Sequence, residues 1–260
     1  MTFLKNNKLN EITPFFIIFI IIVSFIFIFY NEIYRHAILH EGMDNKNSTN
    51  STNSTIILMG DSILKNNIYV GKGKSVEDLL IQQYDGTLLN LAKDETTIQG
   101  LDEQINELTN NSNNLNNSNN KINKYNNNQT TIFVSAGGND ILNKYVYIED
   151  ADIDNFKPLY VIYARYNERL KRIRAILPNA KIMLINLYYP QSVKYLKYRE
   201  IIKKWNDLLF EYQSDPIHKI DNILDLSILM TDINDFSLCI EPSATGSVKI
   251  AREILVLSKL

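Results

Sequence analysis

Three short stretches of this chain carry residue types that could do acyl-transfer chemistry. "TIILMGDSIL" (55–64) places Ser62 just after an apolar run. A serine hydroxyl becomes a nucleophile when a base takes its proton and nearby N–H donors receive the oxyanion that its attack creates. "VSAGGND" (134–140) supplies such a donor in the Asn139 amide, and Gly137 and Gly138 let the backbone pass close to a ligand. "IEPSATG" (240–246) lies where a partner for the serine is expected, and it offers Glu241 and no histidine. A carboxylate is a weaker base than imidazole near neutral pH, but burial can raise its pKa toward a useful value. Each stretch also has a plainer reading. Asp61 and Ser62 are favoured helix N-caps, and Asn139-Asp140 after two glycines suits a capped turn. If a helix starts at Ser62, the hydroxyl sits among free N–H groups at a positive dipole end.

These residues need elements to position them. Short apolar runs read as strands at 55–60, 86–92, 130–140 (ending in a Gly-Gly turn), 180–190 and 219–227. Helical spacing is found at 75–84, 97–108, 159–178, 194–213 and 243–260, with Pro178 stopping the third. Strands alternating with helices predict a parallel sheet covered on both faces, a three-layer α/β/α architecture. Ligands bind such sheets beyond the carboxyl ends of the strands, where Ser62, the "NLAKDETT" loop, Asn139 and the stretch 225–243 fall.

The rest of the chain bounds the function. A 1–11 tail precedes an apolar segment, 12–30, with no charge from 14 to 30. At about 19 residues, or roughly 28 Å as a helix, it is long enough to cross a bilayer core. Nothing after it resembles a small-residue cleavage site, so it reads as an uncleaved membrane anchor. Lys5 and Lys8 before it against Arg35 after it favour a cytoplasmic N-terminus, with the domain luminal or extracellular. Residues 31–54 form a polar stalk with sequons at Asn47, Asn50 and Asn53, and the catalytic-type domain occupies 55–260. An Asn-rich tract at 109–129 reads as a disordered surface insertion. A net charge of −2 gives no basic bias of the kind nucleic-acid binding needs. Cys239 is the single cysteine, which rules out an intrachain disulfide. His36, His40 and His218 have no metal-ligand spacing with it, and no cofactor is expected. His218 precedes the last strand, at the opposite end from the expected site.

Together, "ILMGDSIL", "NLAKDETT", "VSAGGND" and "IEPSATGSVKIA" resemble, in order, the four blocks of the SGNH/GDSL hydrolase superfamily. That superfamily includes esterases, lipases, lysophospholipases and glycan deacetylases. The resemblance spans about residues 55–256 and implies a flavodoxin-like fold. It implies Ser62 as nucleophile and an oxyanion hole made of the Ser62 N–H, a block-two glycine and Asn139, with Gly138 beside it. The chain departs from the pattern twice. Glu95 stands where block two has its glycine, and Glu241 stands where block four has its histidine. Leu238 holds the position of the usual aspartate, with Asp235 nearby but off register. The last block is similar to that of a branch reading IEPS in place of HPS. The resemblance implies an ester hydrolase acting on a small-molecule, lipid or glycan ester, with Glu241 as base, aided by Asp235. The alternative is a weak or inactive binding module on the same scaffold, for glycan or lipid headgroups.

Overall fold

The computed structural model describes residues 54–113, 124–145 and 155–260; at 111–113 only the backbone is described. The anchor at 12–30 and most of the stalk lie outside the described residues. Among the described residues no helix is long and apolar enough to cross a membrane.

The sheet has five strands: β1 (Thr55–Met59), β2 (Thr87–Asn90), β3 (Thr130–Ser135), β4 (Lys181–Ile185) and β5 (Asn222–Leu224). All pair in parallel, in the order β2-β1-β3-β4-β5. β1 and β3 are buried along their whole length, as expected of strands covered on both faces. The helices are α1 (Val76–Gln83), α2 (Leu101–Asn113), α3 (Gly138–Tyr145), α4 (Lys157–Ile176), α5 (Arg199–Ser214), the single turn α6 (Leu226–Leu229) and α7 (Ala244–Leu257). α1 packs on α7, while α2 packs on α4 and α4 on α5, so two helix groups sandwich the sheet. The sequence determines these faces simply. In α4 the buried Leu159, Ile162, Tyr166, Leu170 and Ile173 recur every three or four residues, which makes one stripe.

Helix starts are set by side-chain caps. Ser75 Oγ accepts the Asp78 N–H at 3.1 Å and Asp78 answers at the Ser75 N–H, a capping box at α1. Ser243 of the "EPS" stretch caps α7, accepting from Thr245 and Gly246 N–H at 3.1 and 3.2 Å.

Three expectations need correction. No helix begins at Ser62. The chain makes one turn, with the Leu64 and Lys65 N–H groups both bonded to Asp61 O at 3.1 Å, and α1 waits until Val76. The expected helix at 194–213 splits into a 3₁₀ segment (Val193–Tyr198) and α5. Tyr195 and Tyr198, three apart, face the same pocket, and a 3.0 period is hard to tell from 3.6 over six residues. The Asn-rich insertion is shorter than expected: α2 runs on to Asn113, and at the far side Tyr125 is buried in the core. Burial of Leu108 and Tyr125 outweighs the poor propensity of their Asn neighbours.

The exit from β1 is the tightest point of the frame. Gly60 has φ +136°, and a Cβ there would lie 1.9 Å from Ser135 O. The buried Gln104 amide accepts the Gly60 N–H at 2.7 Å and donates to Gly60 O at 2.8 Å. We predict that Gly60→Ala destabilises the domain by about 2 kcal/mol or more, read as a lower urea midpoint.

Candidate active site

The chain builds outward from β1 in both directions, so its strand order switches between β1 and β3, the place where doubly wound sheets bind ligands. Ser62 leaves the end of β1 and Asn139 lies in the first turn of α3, just beyond β3. Glu241 comes from a small antiparallel hairpin, β6 (Phe236–Ser237) and β7 (Glu241–Pro242). Ser62, Gly138, Asn139 and Glu241 line one pocket of about 530 Å³, including its open mouth. Its remaining wall is largely apolar, with Ile141, Leu142, Leu187, Tyr195, Tyr198 and Ile202. The structure therefore brings together residues that lie 179 positions apart in the sequence, from Ser62 to Glu241.

Ser62 is buried and lines the same pocket as Glu241, near enough for its hydroxyl to bear on the Glu241 carboxylate. Glu241 Oε2 is buried and has no hydrogen-bond partner among the described residues. Catalytic contacts are often loose before substrate binds. Burial raises the Glu241 pKa; the Ser62 contact offsets part of the rise, and the charges of Asp94 and Glu95 add to it. A raised pKa makes the carboxylate a better base than an exposed one.

Asp61 is also buried. Its Oδ1 accepts the Ser135 hydroxyl at 2.9 Å and the Ile63 N–H at 3.1 Å. Desolvation dominates over those two bonds, and with the Glu241 charge it lifts the Asp61 pKa to about 7. So the Asp of "GDS" braces the nucleophile turn against β3.

The oxyanion side is partly built. Asn139 Nδ2 donates to Thr96 O at 3.0 Å, which leaves its second N–H for a ligand, and Asp140 Oδ2 accepts the Ile98 N–H at 2.9 Å. These two bonds tie the "NLAKDETT" loop to the "GGND" turn. Glu95 has φ +57°, the left-handed conformation that glycine adopts freely. Its side chain is exposed and does not line the pocket, so it does not place a carboxylate on the oxyanion position. Its N–H, however, donates to Asp94 Oδ1 at 3.0 Å, and Tyr69 OH holds both Asp94 oxygens at 2.9 Å. The third donor of the expected oxyanion hole is therefore engaged by a neighbouring carboxylate.

Asp235 does not join the site. It is fully buried, with Oδ2 accepting the Lys249 ammonium at 2.7 Å and the Asp232 N–H at 3.0 Å. It is not among the charges that shift Glu241. The reason is the off-register spacing seen in the sequence: Asp235 precedes β6 and turns into the α7 interface, fixing the base of the hairpin. His218 stacks on the Tyr212 ring at 3.6 Å, ahead of β5 and so at the sheet end opposite Ser62. Sequence reasoning missed Asn66, Gln104, Ser135, Tyr188 and Trp205. The Trp205 ring lies 2.4 Å from where a Gly137 Cβ would be, at φ +105°, which is why the "GGND" turn needs its first glycine. Ser135, inside the "VSAGGND" block, and Tyr188, in the "LYYP" stretch at a strand end, lay next to signals that could have pointed to them.

A parallel sheet of order 2-1-3-4-5 with a buried serine at its switch point defines a flavodoxin-like α/β protein with a pocket at the strand ends. The family model described as GDSL-like lipase/acylhydrolase matches residues 56–225, well over half of the chain, and the chain belongs to that family. The match stops short of Glu241. No curated protein matches the chain. Among solved structures, the chain is similar to a lipolytic protein of the G-D-S-L family from Veillonella parvula, with TM-score 0.55 and 17% identity over 80% of this chain and 100% of that one. An extracellular lipase from Streptomyces rimosus aligns with TM-score 0.57 and 13% identity over 79% and 99%. A family 3 carbohydrate esterase from Clostridium thermocellum aligns with TM-score 0.51 and 19% identity over 78% and 94%. At these identities the likeness shows the fold.

Two predictions follow from the buried charge and the strained loop. Asp61 holds in the folded state, between pH 3.8 and about 7, a proton that the unfolded chain releases, so wild-type stability falls as pH rises through that window. Urea titrations should therefore show Asp61→Asn gaining on wild type from pH 4 to 7, with no change in the difference below. Glu95→Gly should stabilise the domain by about 0.5 kcal/mol or more, because it relieves a left-handed conformation at an exposed site.

Proposed function

We propose that the chain is a membrane-anchored serine ester hydrolase. The observation that carries this reading is the Ser62 hydroxyl set against the raised-pKa Glu241 carboxylate at the polar end of an apolar pocket. Glu241 takes the proton from Ser62 Oγ as Oγ attacks the ester carbonyl. The negative charge that develops on the carbonyl oxygen meets the free N–H of Asn139 Nδ2 and the Ser62 backbone N–H. When the tetrahedral intermediate collapses, the protonated Glu241 returns its proton to the departing alkoxide. Water then repeats the sequence on the acyl-enzyme. The apolar wall suits the acyl group, so a lipid or acylated small molecule or glycan fits the pocket by its acyl part. The uncharged run at 14–30 supports the anchor, and Lys5 and Lys8 support a luminal or extracellular domain.

One observation favours a second reading, a catalytically weak binding module for glycan or lipid headgroups: the Glu95 N–H is already bonded to Asp94. Rapid labelling of Ser62 by a fluorophosphonate would dismiss it.

The direct test is turnover of p-nitrophenyl acetate and butyrate. Ser62→Ala should abolish it, and Glu241→Gln should lower kcat by about 10²–10⁴-fold. Because Glu241 must be ionised to act and its pKa is raised, the acid limb of kcat should lie above the ordinary carboxylate range. Equal rates for wild type and Ser62→Ala would sink the hydrolase reading.

A further inference from the structure

Glu241 stands on an element that cannot hold itself. β6 and β7 have two residues each, and so small a hairpin is marginal alone. Its connecting turn is closed by the Ile240 N–H on Ser237 O at 3.1 Å. The two central residues, Leu238 and Cys239, have φ +47° and +72°, the signature of a type I′ turn. That turn favours Asn-Gly; a leucine and a cysteine there are strained. Leu238 is 72% exposed, so it gains little burial in return. A turn under such strain relaxes by moving Ile240 and Glu241.

Two side chains from outside the hairpin oppose that movement. Tyr188 OH, just beyond β4, donates to Ile240 O at 2.6 Å, with its ring edge against Phe236 at 5.1 Å. Asn66 Nδ2, four residues after the nucleophile, donates to Pro242 O at 3.1 Å. The two carbonyls flank Glu241, one on each side. Asn66 is fully buried, and its other bonds, to Ser247 Oγ at 2.6 Å and from the Val76 N–H at 3.0 Å, fix it in turn.

We propose that Tyr188 and Asn66 are positioning residues: they clamp the backbone on both sides of Glu241 and so hold its carboxylate at Ser62. Asn66 links the base directly to the segment that carries the nucleophile, so the two reacting groups keep their spacing even though they come from opposite ends of the domain. The inference rests on Glu241 acting as the base.

The test uses the full chain. Tyr188→Phe keeps the ring and removes only the hydroxyl. It should lower kcat for a p-nitrophenyl ester by about tenfold or more while KM stays within about twofold. The acid limb should move down as the carboxylate shifts toward water. Asn66→Ala, which removes the donor to Pro242 O, should act in the same direction. Adding Leu238→Asn and Cys239→Gly to Tyr188→Phe removes the strain in the turn and should recover most of kcat, which a general packing defect would not allow. Wild-type kcat and acid limb in Tyr188→Phe, or no recovery in the combined variant, overturn the clamp. If Ser62→Ala leaves turnover unchanged, the hydrolase reading itself fails. The ¹³C titration of the Glu241 carboxyl, assigned with Glu241→Gln, then still decides the clamp: a lower pKa in Tyr188→Phe supports it and an unchanged one overturns it.

Discussion

The structure depends on the close approach of two strand ends, β1 at Gly60 and β3 at Ser135. No side chain fits between them. The approach lets the chain turn sharply out of the sheet, so Asp61 drops against the Ser135 hydroxyl and Ser62 emerges at the pocket. A peptide that leaves a sheet this abruptly loses its ladder partners, and a buried unpaired peptide group is costly. Gln104, from α2, accepts the Gly60 N–H and joins the Lys93 N–H in donating to Gly60 O. The nucleophile turn is thus held from the neighbouring strand and from a helix, before any contact with the base.

Around that turn the charges are mostly acidic. Asp61 and Glu241 are both desolvated; the Glu241 charge disfavours ionisation of Asp61, and the charges of Asp94 and Glu95 disfavour that of Glu241. On the proposed reading, burial supplies part of what an imidazole would supply by its intrinsic pKa: a proton acceptor tuned upward. The adjustment has a structural requirement. If Glu241 is the base proposed above, its backbone must be held, and bonds from Tyr188 and Asn66 to the carbonyls on either side of it do so. The oxyanion loop shows the same economy in reverse. A conformation suited to glycine is kept with a glutamate in place, and the Tyr69–Asp94 pair stabilises it while occupying the freed N–H.

Much of this was legible beforehand. The alternation of apolar runs and amphipathic stretches predicts the parallel sheet, because burial on both faces demands continuous apolar strands and striped helices. "GDS" and "GGND" each follow a strand, so the position of ligand chemistry at the switch point follows as well. What was not legible involves long-range partners. Asp235 read as an aid to Glu241, yet it is bound to Lys249, and only the register of the hairpin shows this. Asn66 and Gln104 sit in stretches with no motif, since a single buried hydrogen bond leaves no periodic trace, and Tyr188 was marked only by its place at a strand end. The edges of the Asn-rich tract were misjudged because Leu108 and Tyr125 contribute burial that composition averages away.

By itself, then, the sequence determined the fold class, the nucleophile and donor candidates, and the substitution of glutamate for histidine, because strand periodicity and short motifs are local properties. Tertiary structure decided which acid belongs to the site and which belongs to the frame. It also decided whether Glu95 blocks the oxyanion position and what holds Glu241 beside Ser62. Those outcomes depend on desolvation and on hydrogen bonds between residues far apart in the chain, and neither exists until the strands are in register and water has left the pocket.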